Sequence, residues 1–147
     1  MKVSVKWEQG ASFLGETPGG HSVRMDGPPD AGGLNLGPRP METVLMGTGA
    51  CSSFHVVHIL GKARQRVTAC VVDVTAERAA TDPQVFTRIG FHYTVTGQQL
   101  KPELVQRAID LSAEKYCSAS IMLGKTAVVT HEFEIREVPA NQDALAD

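Results

Sequence analysis

Charge is absent where a chain of this length usually carries it. Between Glu42 and Lys62 there is no Asp, Glu, Lys or Arg. Nor does either sign dominate overall: 14 Lys and Arg against 16 Asp and Glu leave a net charge of -2 and a pI near 6.2. That excludes the basic stripe of a nucleic-acid-binding domain and a polybasic membrane patch. Cysteine is scarce. Three cysteines, an odd number with no close CxxC pair, argue against a disulfide framework and for a reducing compartment. The opening residues, MKVSVKWEQG, alternate and lack the apolar core of a signal peptide, so the expected location is the cytoplasm. The Gly- and Pro-rich stretch from Gly27 to Arg39 lacks GxGxxG or GxxxxGK and is assigned no phosphate. No internal repeat occurs. One domain with a real core is expected of 147 residues, spanning 1–137, with a polar tail over 138–147.

The stretch PMETVLMGTGACSSFHVVHIL from Pro40 to Leu60, without a charged side chain after Glu42, organises the chain. An amphipathic surface helix has a charged face, whereas a helix apolar all round is buried in protein or in lipid. Lipid is the weaker reading, because Gly47, Thr48, Gly49, Ser52, Ser53, His55 and His58 fall inside the run. The stretch therefore reads as a buried core helix carrying Cys51 near its middle. Pro40 suits the first helical turn, where a missing N–H costs nothing, and Glu42 complements the helix N-terminus. Gly47, Gly49, Ala50, Ser52 and Ser53 allow close approach around Cys51.

The flanking sequence alternates. Val3, Val5 and Trp7 oppose Lys2, Ser4, Lys6 and Glu8, which predicts a half-buried strand. Strands around Phe13-Leu14 and from His21 to Asp26 complete a three-stranded antiparallel meander. Beyond the helix, strands are expected over 66–78, with Cys70, Val72, Val74 and Ala76 on one face, and over 86–96, with Ile89, Phe91, Tyr93 and Val95 inward. Lys101-Pro102 opens a second helix with Leu104, Val105, Ala108, Ile109 and Leu111 as its apolar stripe. A bent or helical segment follows Cys117 and ends at Gly124, and a last strand, 126–137, faces Val129, His131, Phe133 and Ile135 together. The order βββ–α–ββ–α(α)–β indicates an α+β domain with helices on one sheet face. One small sheet covers only one side of the central helix, so its other side is expected to meet a second subunit.

Cys51 and Cys117 each lie on a helical segment flanked by serines and small residues. The functional reading is a redox pair, one thiolate attacking and the other resolving; the alternative is two small buried hydrophobes. Cys117 follows Lys115-Tyr116, where a new helix N-terminus favours a thiolate. Cys70, among valines on a strand, reads as structural. Cys51, His55 and His58 recur at i, i+4, i+7 and share a helix face, open to thiol activation by histidine, to a metal site completed by His131 or Cys117, or to plain packing. Arg24, on the polar face of the third strand, and Arg39, before the central helix, are candidates to hold a guanidinium near Cys51; solvated surface positions are the alternative.

PMETVLMGTGACSSFHVVHIL together with LSAEKYCSASIML resembles the OsmC/Ohr superfamily of thiol-dependent peroxide reductases, most of all its YhfA-like subgroup. The match in order and spacing covers roughly residues 1–137. The resemblance implies a two-layer fold with antiparallel sheets around a long buried central helix, and an intertwined homodimer with two sites at the interface. It implies that Cys51 is the peroxidatic thiol, that Cys117 resolves it, and that Arg24 is the arginine over the site. The better-known members have Asn-Pro-Glu before the helix, whose glutamate holds that arginine. Here Arg39-Pro40-Met41 stands in its place, and Glu42 is rotated by about 100° around the helix.

The resulting expectation is a cofactor-free peroxidase. It reduces organic hydroperoxides through a Cys51 sulfenic acid and a Cys51–Cys117 disulfide, reset by a dithiol reductant, without nucleic acid or membrane. The alternatives are a protein binding a small apolar ligand in the dimer-interface pocket, and a metal site built on Cys51, His55 and His58.

Overall fold

The computed structural model of the chain describes residues 1–139, so most of the expected tail lies outside the described residues. The described residues form two compact units, Met1–Met46 and the residues from Gly47 onward. In the first, β1 (Ser4–Gln9), β2 (Ser12–Glu16) and β3 (Ser22–Met25) form the expected antiparallel meander, in the order β1-β2-β3. Trp7 pairs with Phe13, and Leu14 with Arg24. One expectation is corrected here: β1 is exposed along its length rather than half-buried, and Trp7 is 67% exposed. Alternation distinguishes an apolar face from a polar one; it does not say what covers the apolar one.

The Gly- and Pro-rich loop is held from one side chain. Asp26, buried at the end of β3, accepts the backbone N–H groups of Gly27 (2.9 Å), Leu34 (2.9 Å) and Leu36 (3.0 Å). Gly33 packs so closely that a Cβ there would lie 1.8 Å from the Gly27 carbonyl oxygen. The bonds from Leu36 and Leu34 hold the Asp26 carboxyl below its usual pKa, against the opposing effect of burial. A depressed carboxylate pKa stabilises the fold above the unfolded-state pKa, and that stability is lost as pH falls through the folded value. Asp26→Asn, with one acceptor oxygen for three donors, is expected to lower Tm by several degrees at pH 7. Thermal melts down the pH scale should show the gap to the native chain narrowing as Asp26 protonates; a constant gap counts against this role.

The long helix α1 (Pro40–Lys62) begins at Pro40 as expected. Glu42 accepts the Arg39 N–H at 2.8 Å, half of a capping box, so its carboxylate serves the helix end. In the second unit, β4 (Arg66–Arg78), β5 (Phe86–Gln98) and β6 (Val128–Glu137) form a sheet in the order β4-β5-β6. This sheet is mixed. β4 and β5 are an antiparallel hairpin, but β6 runs parallel to β5, with Tyr93 beside Phe133. A parallel neighbour needs a long crossover, and α2 (Pro102–Leu111), a π turn at Ser112–Tyr116 and α3 (Ser118–Leu123) provide it.

The core of this unit joins Val56 and Leu60 of α1, Ile89, Phe91, Tyr93 and Val95 of β5, and Val105, Ala108 and Ile109 of α2, all essentially solvent-free. Gly49 lets α1 lie close to β4: a Cβ there would stand 3.1 Å from Val74 and 3.4 Å from Val72. By length and composition α1 is apolar enough to cross a membrane. Its buried stripe of Thr48, Gly49, Ser52, Val56 and Leu60 instead serves a protein core. The rest of the helix is not buried in the single chain, in line with the expectation that one small sheet covers only one of its sides. Met46, Phe54 and Val57 face outward, Phe54 being 64% exposed, because one sheet covers one side.

Candidate functional site

The two thiols meet in the second unit. Cys51 is half-buried on α1, and Cys117 is fully buried where the π turn gives way to α3. Both are free, and Cys117 lies close enough to Cys51 to perturb its thiol. The π turn closes through the Cys117 N–H, which donates to the Ser112 carbonyl at 2.8 Å. That wider turn delivers Cys117 to the start of α3, where its sulfur accepts the Ser120 N–H at 3.5 Å as the helix cap. Cys51 shares the same end of α3. The backbone N–H of Ala119 and the Ser118 hydroxyl act on its sulfur in the direction that favours the thiolate.

These donors favour a Cys51 thiolate, but other effects outweigh them. Burial, then the hydrogen bond with Cys117, pushes the Cys51 thiol above the ordinary cysteine pKa.

The histidines are engaged elsewhere. The His55 ring lies 5.9 Å from Tyr116 and 5.4 Å from Phe54, and His58 stacks on Phe54 at 5.8 Å. His131 stacks on Phe91 at 4.9 Å, and burial depresses its pKa, partly offset by Asp110. Among the described residues no group of three His, Cys, Asp or Glu side chains is arranged to hold a metal, which removes the support for a Cys51–His55–His58 site. Spacing on one helix face brings these groups near each other, yet the aromatic rings beside them set their orientation.

Arg24 lies in the first unit, paired with Glu8: Nε to Oε2 at 2.9 Å and Nη2 to Oε1 at 3.2 Å. The hydroxyl of Ser12 donates to the same carboxylate at 3.3 Å. Arg39 is exposed at the start of α1. Cys70 is half-buried on β4, and burial raises its pKa. With Ala50, Ser53, Phe54, Val57 and His58 it lines an open groove of about 380 Å³. Cys70→Ser is expected to leave peroxide-dependent loss of the other two thiols unchanged, as thiol titration would show. Loss of that reaction in a folded variant would shift the redox role onto Cys70.

Nothing in the sequence pattern assigns a shared polar role to Ser52, Ser112 and Tyr93. All three are fully buried, and their hydroxyls meet one another. The available signal was polarity at the wrong places. Ser52 interrupts the stripe formed with Thr48, Val56 and Leu60, and Ser112 continues the one formed by Val105, Ala108 and Ile109.

Comparison with known proteins follows the same chain almost end to end. The OsmC-like protein family matches residues 32–132. Protein YhfA of Escherichia coli K12 is 49% identical over 135 residues, covering 92% of this chain and 98% of that protein. A hypothetical protein of Aquifex aeolicus superposes with a TM-score of 0.81 at 28% identity, over 94% of this chain and 97% of that one. The organic hydroperoxide resistance protein OhrB of Bacillus subtilis superposes with a TM-score of 0.62 at 20% identity, over 90% and 96% of the two chains.

Proposed function

This chain belongs to the OsmC-like protein family, and on that premise we propose that it is a thiol-dependent peroxidase acting on organic hydroperoxides. The nearness of Cys51 to Cys117, which caps α3 and perturbs the Cys51 thiol, carries the reading. The Cys51 thiolate attacks the distal peroxide oxygen. The S–O bond forms, the O–O bond breaks, and the departing alkoxide takes a proton to leave as an alcohol. Cys51 is then a sulfenic acid. The Cys117 sulfur attacks the Cys51 sulfur, water leaves, and a disulfide remains. A dithiol reductant restores both thiols by exchange. The fold is shared with an organic hydroperoxide resistance protein, which supports this substrate class. The odd cysteine count fits work in the reducing cytoplasm.

In this reading Arg24 supplies the guanidinium that favours the thiolate and the departing alkoxide. Its carboxylate partner is Glu8, which offsets the presence of Met41 where a glutamate is expected. The working unit is a homodimer. The outward Met46, Phe54 and Val57 of α1 and the exposed Val3, Val5 and Trp7 are large apolar surfaces that a second copy would bury. Sedimentation at micromolar concentration is expected to give a dimer; a stable folded monomer would end that part of the reading.

The raised Cys51 pKa sets a pH dependence. A free thiol with a pKa of ~8.5 is only a few per cent thiolate at pH 7, and Cys51 is less ionised still. Alkylation of Cys51 by iodoacetamide should therefore accelerate by nearly tenfold from pH 7 to pH 8, in proportion to the thiolate. A rate flat across that range would mean that the thiolate is already formed. Peptide mapping after stoichiometric hydroperoxide tests the function itself: a Cys51–Cys117 disulfide supports it, and a reduced Cys51 rejects it.

A further inference from the structure

A line of buried hydroxyls is drawn from three elements, two of which also carry or adjoin the thiol pair. The Tyr93 Oη of β5 is 2.6 Å from the Ser52 Oγ of α1, which is 3.0 Å from the Ser112 Oγ of the π turn. Ser112 Oγ also donates to the Ser52 carbonyl at 3.2 Å. At the far end His131 Nδ1 lies 3.5 Å from Tyr93 Oη. One direction satisfies every donor. Ser112 gives its proton to the Ser52 carbonyl, Ser52 to Ser112, Tyr93 to Ser52, and an Nδ1–H of His131 to Tyr93.

Apolar side chains would fill this space at less cost, since a buried hydroxyl loses its hydration and regains it only through well-made bonds. What these bonds do is join two places in the chain. Ser52 is next to Cys51. Ser112 grips the Ser52 carbonyl with its side chain, and with its own carbonyl accepts the N–H of Cys117. One residue thus ties the helix carrying one thiol to the amide of the other.

We propose that the Tyr93–Ser52–Ser112 hydroxyl chain is the positioning device of the thiol pair, holding α1 and the π turn in the register that lets Cys51 and Cys117 form and re-form a disulfide. Its members are positioning residues and touch no substrate. Burial pushes the Tyr93 phenol up to about 12, so near neutral pH the chain stays uncharged and acts by geometry rather than by moving protons. The proposal rests on Cys51 and Cys117 being the working redox pair, but not on peroxide as the oxidant.

The test is the equilibrium between the reduced pair and its disulfide in glutathione buffers, read by mass after alkylation. Two protein thiols give up two protons and two electrons, and one glutathione disulfide becomes two glutathiones. Ser112→Ala and Tyr93→Phe should each lower the equilibrium constant for the Cys51–Cys117 disulfide about tenfold, which is roughly 30 mV for a two-electron couple. Ser112→Thr, which keeps the hydroxyl, should restore most of it. Val95→Ala, a core cavity without a hydroxyl, should lower Tm and leave the constant alone. Should Ser112→Ala fail to fold, Tyr93→Phe, which removes a single oxygen, carries the test.

An unchanged constant in the hydroxyl variants overturns the proposal, as does an equal change in Val95→Ala. So does a native chain that forms no such disulfide in oxidised glutathione. A native chain that forms it with glutathione disulfide but not with hydroperoxide sinks the peroxidase reading and leaves the positioning chain standing. Formation with both oxidants and no effect of the variants does the reverse.

Discussion

One equivalent of organic hydroperoxide is expected to convert Cys51 and Cys117 into a disulfide within one chain, and Cys51→Ser to reduce peroxide consumption to background. Nearness comes first. A disulfide needs its two Cα atoms within about 7 Å, and Cys117 already lies close enough to Cys51 to perturb its thiol. The order of events follows from exposure. Cys51 is half-buried and open to a small substrate, whereas Cys117 is sealed in the core and can attack only a neighbour. Cys117→Ser should therefore allow a single turnover and leave sulfenic acid on Cys51, which dimedone would trap and mass spectrometry would locate. Without a resolving thiol, excess peroxide should carry that sulfur on to sulfinic acid. A Cys117→Ser chain that turns over repeatedly would show that the sulfenic acid is resolved by some other thiol.

Val56→Asp should prevent folding, while Val57→Asp should leave a folded chain that no longer dimerises. The neighbours differ in what surrounds them: Val56 is 0% exposed in the protomer, and Val57 is 41% exposed beside Phe54. An unpaired carboxylate buried at position 56 costs roughly 4–5 kcal/mol or more, comparable to the whole stability of about 5–15 kcal/mol expected of a domain. At position 57 water reaches the carboxylate in the isolated chain, so the penalty appears only on association. Circular dichroism melts and sedimentation separate the two outcomes. A native-like Val56→Asp melt would displace α1 from the core, and a dimeric Val57→Asp chain would move the subunit interface off this face.

Much of this was legible before any coordinate. The charge-free run after Pro40 sufficed for α1, because helix starts and the lack of a polar face are written in neighbouring residues. The strands of 66–78 and 86–96, the second of which runs on to Gln98, and their inward residues followed from alternation, which is likewise local. So did the placing of Cys51 and Cys117 on helical segments among small residues, the basis of the family resemblance.

What the tertiary structure alone decided concerns pairs of distant residues. Local pattern is silent on whether β6 lies parallel to β5, on Arg24 choosing Glu8, and on His55 and His58 settling against Phe54 and Tyr116. It is equally silent on the π turn, whose one wider bond from Cys117 to Ser112 brings the second thiol to the first. Ser52, Tyr93 and Ser112 each look like an isolated polar residue in an apolar stripe. Periodicity tells which side of an element is buried; only folding three such sides together makes one hydroxyl the partner of another.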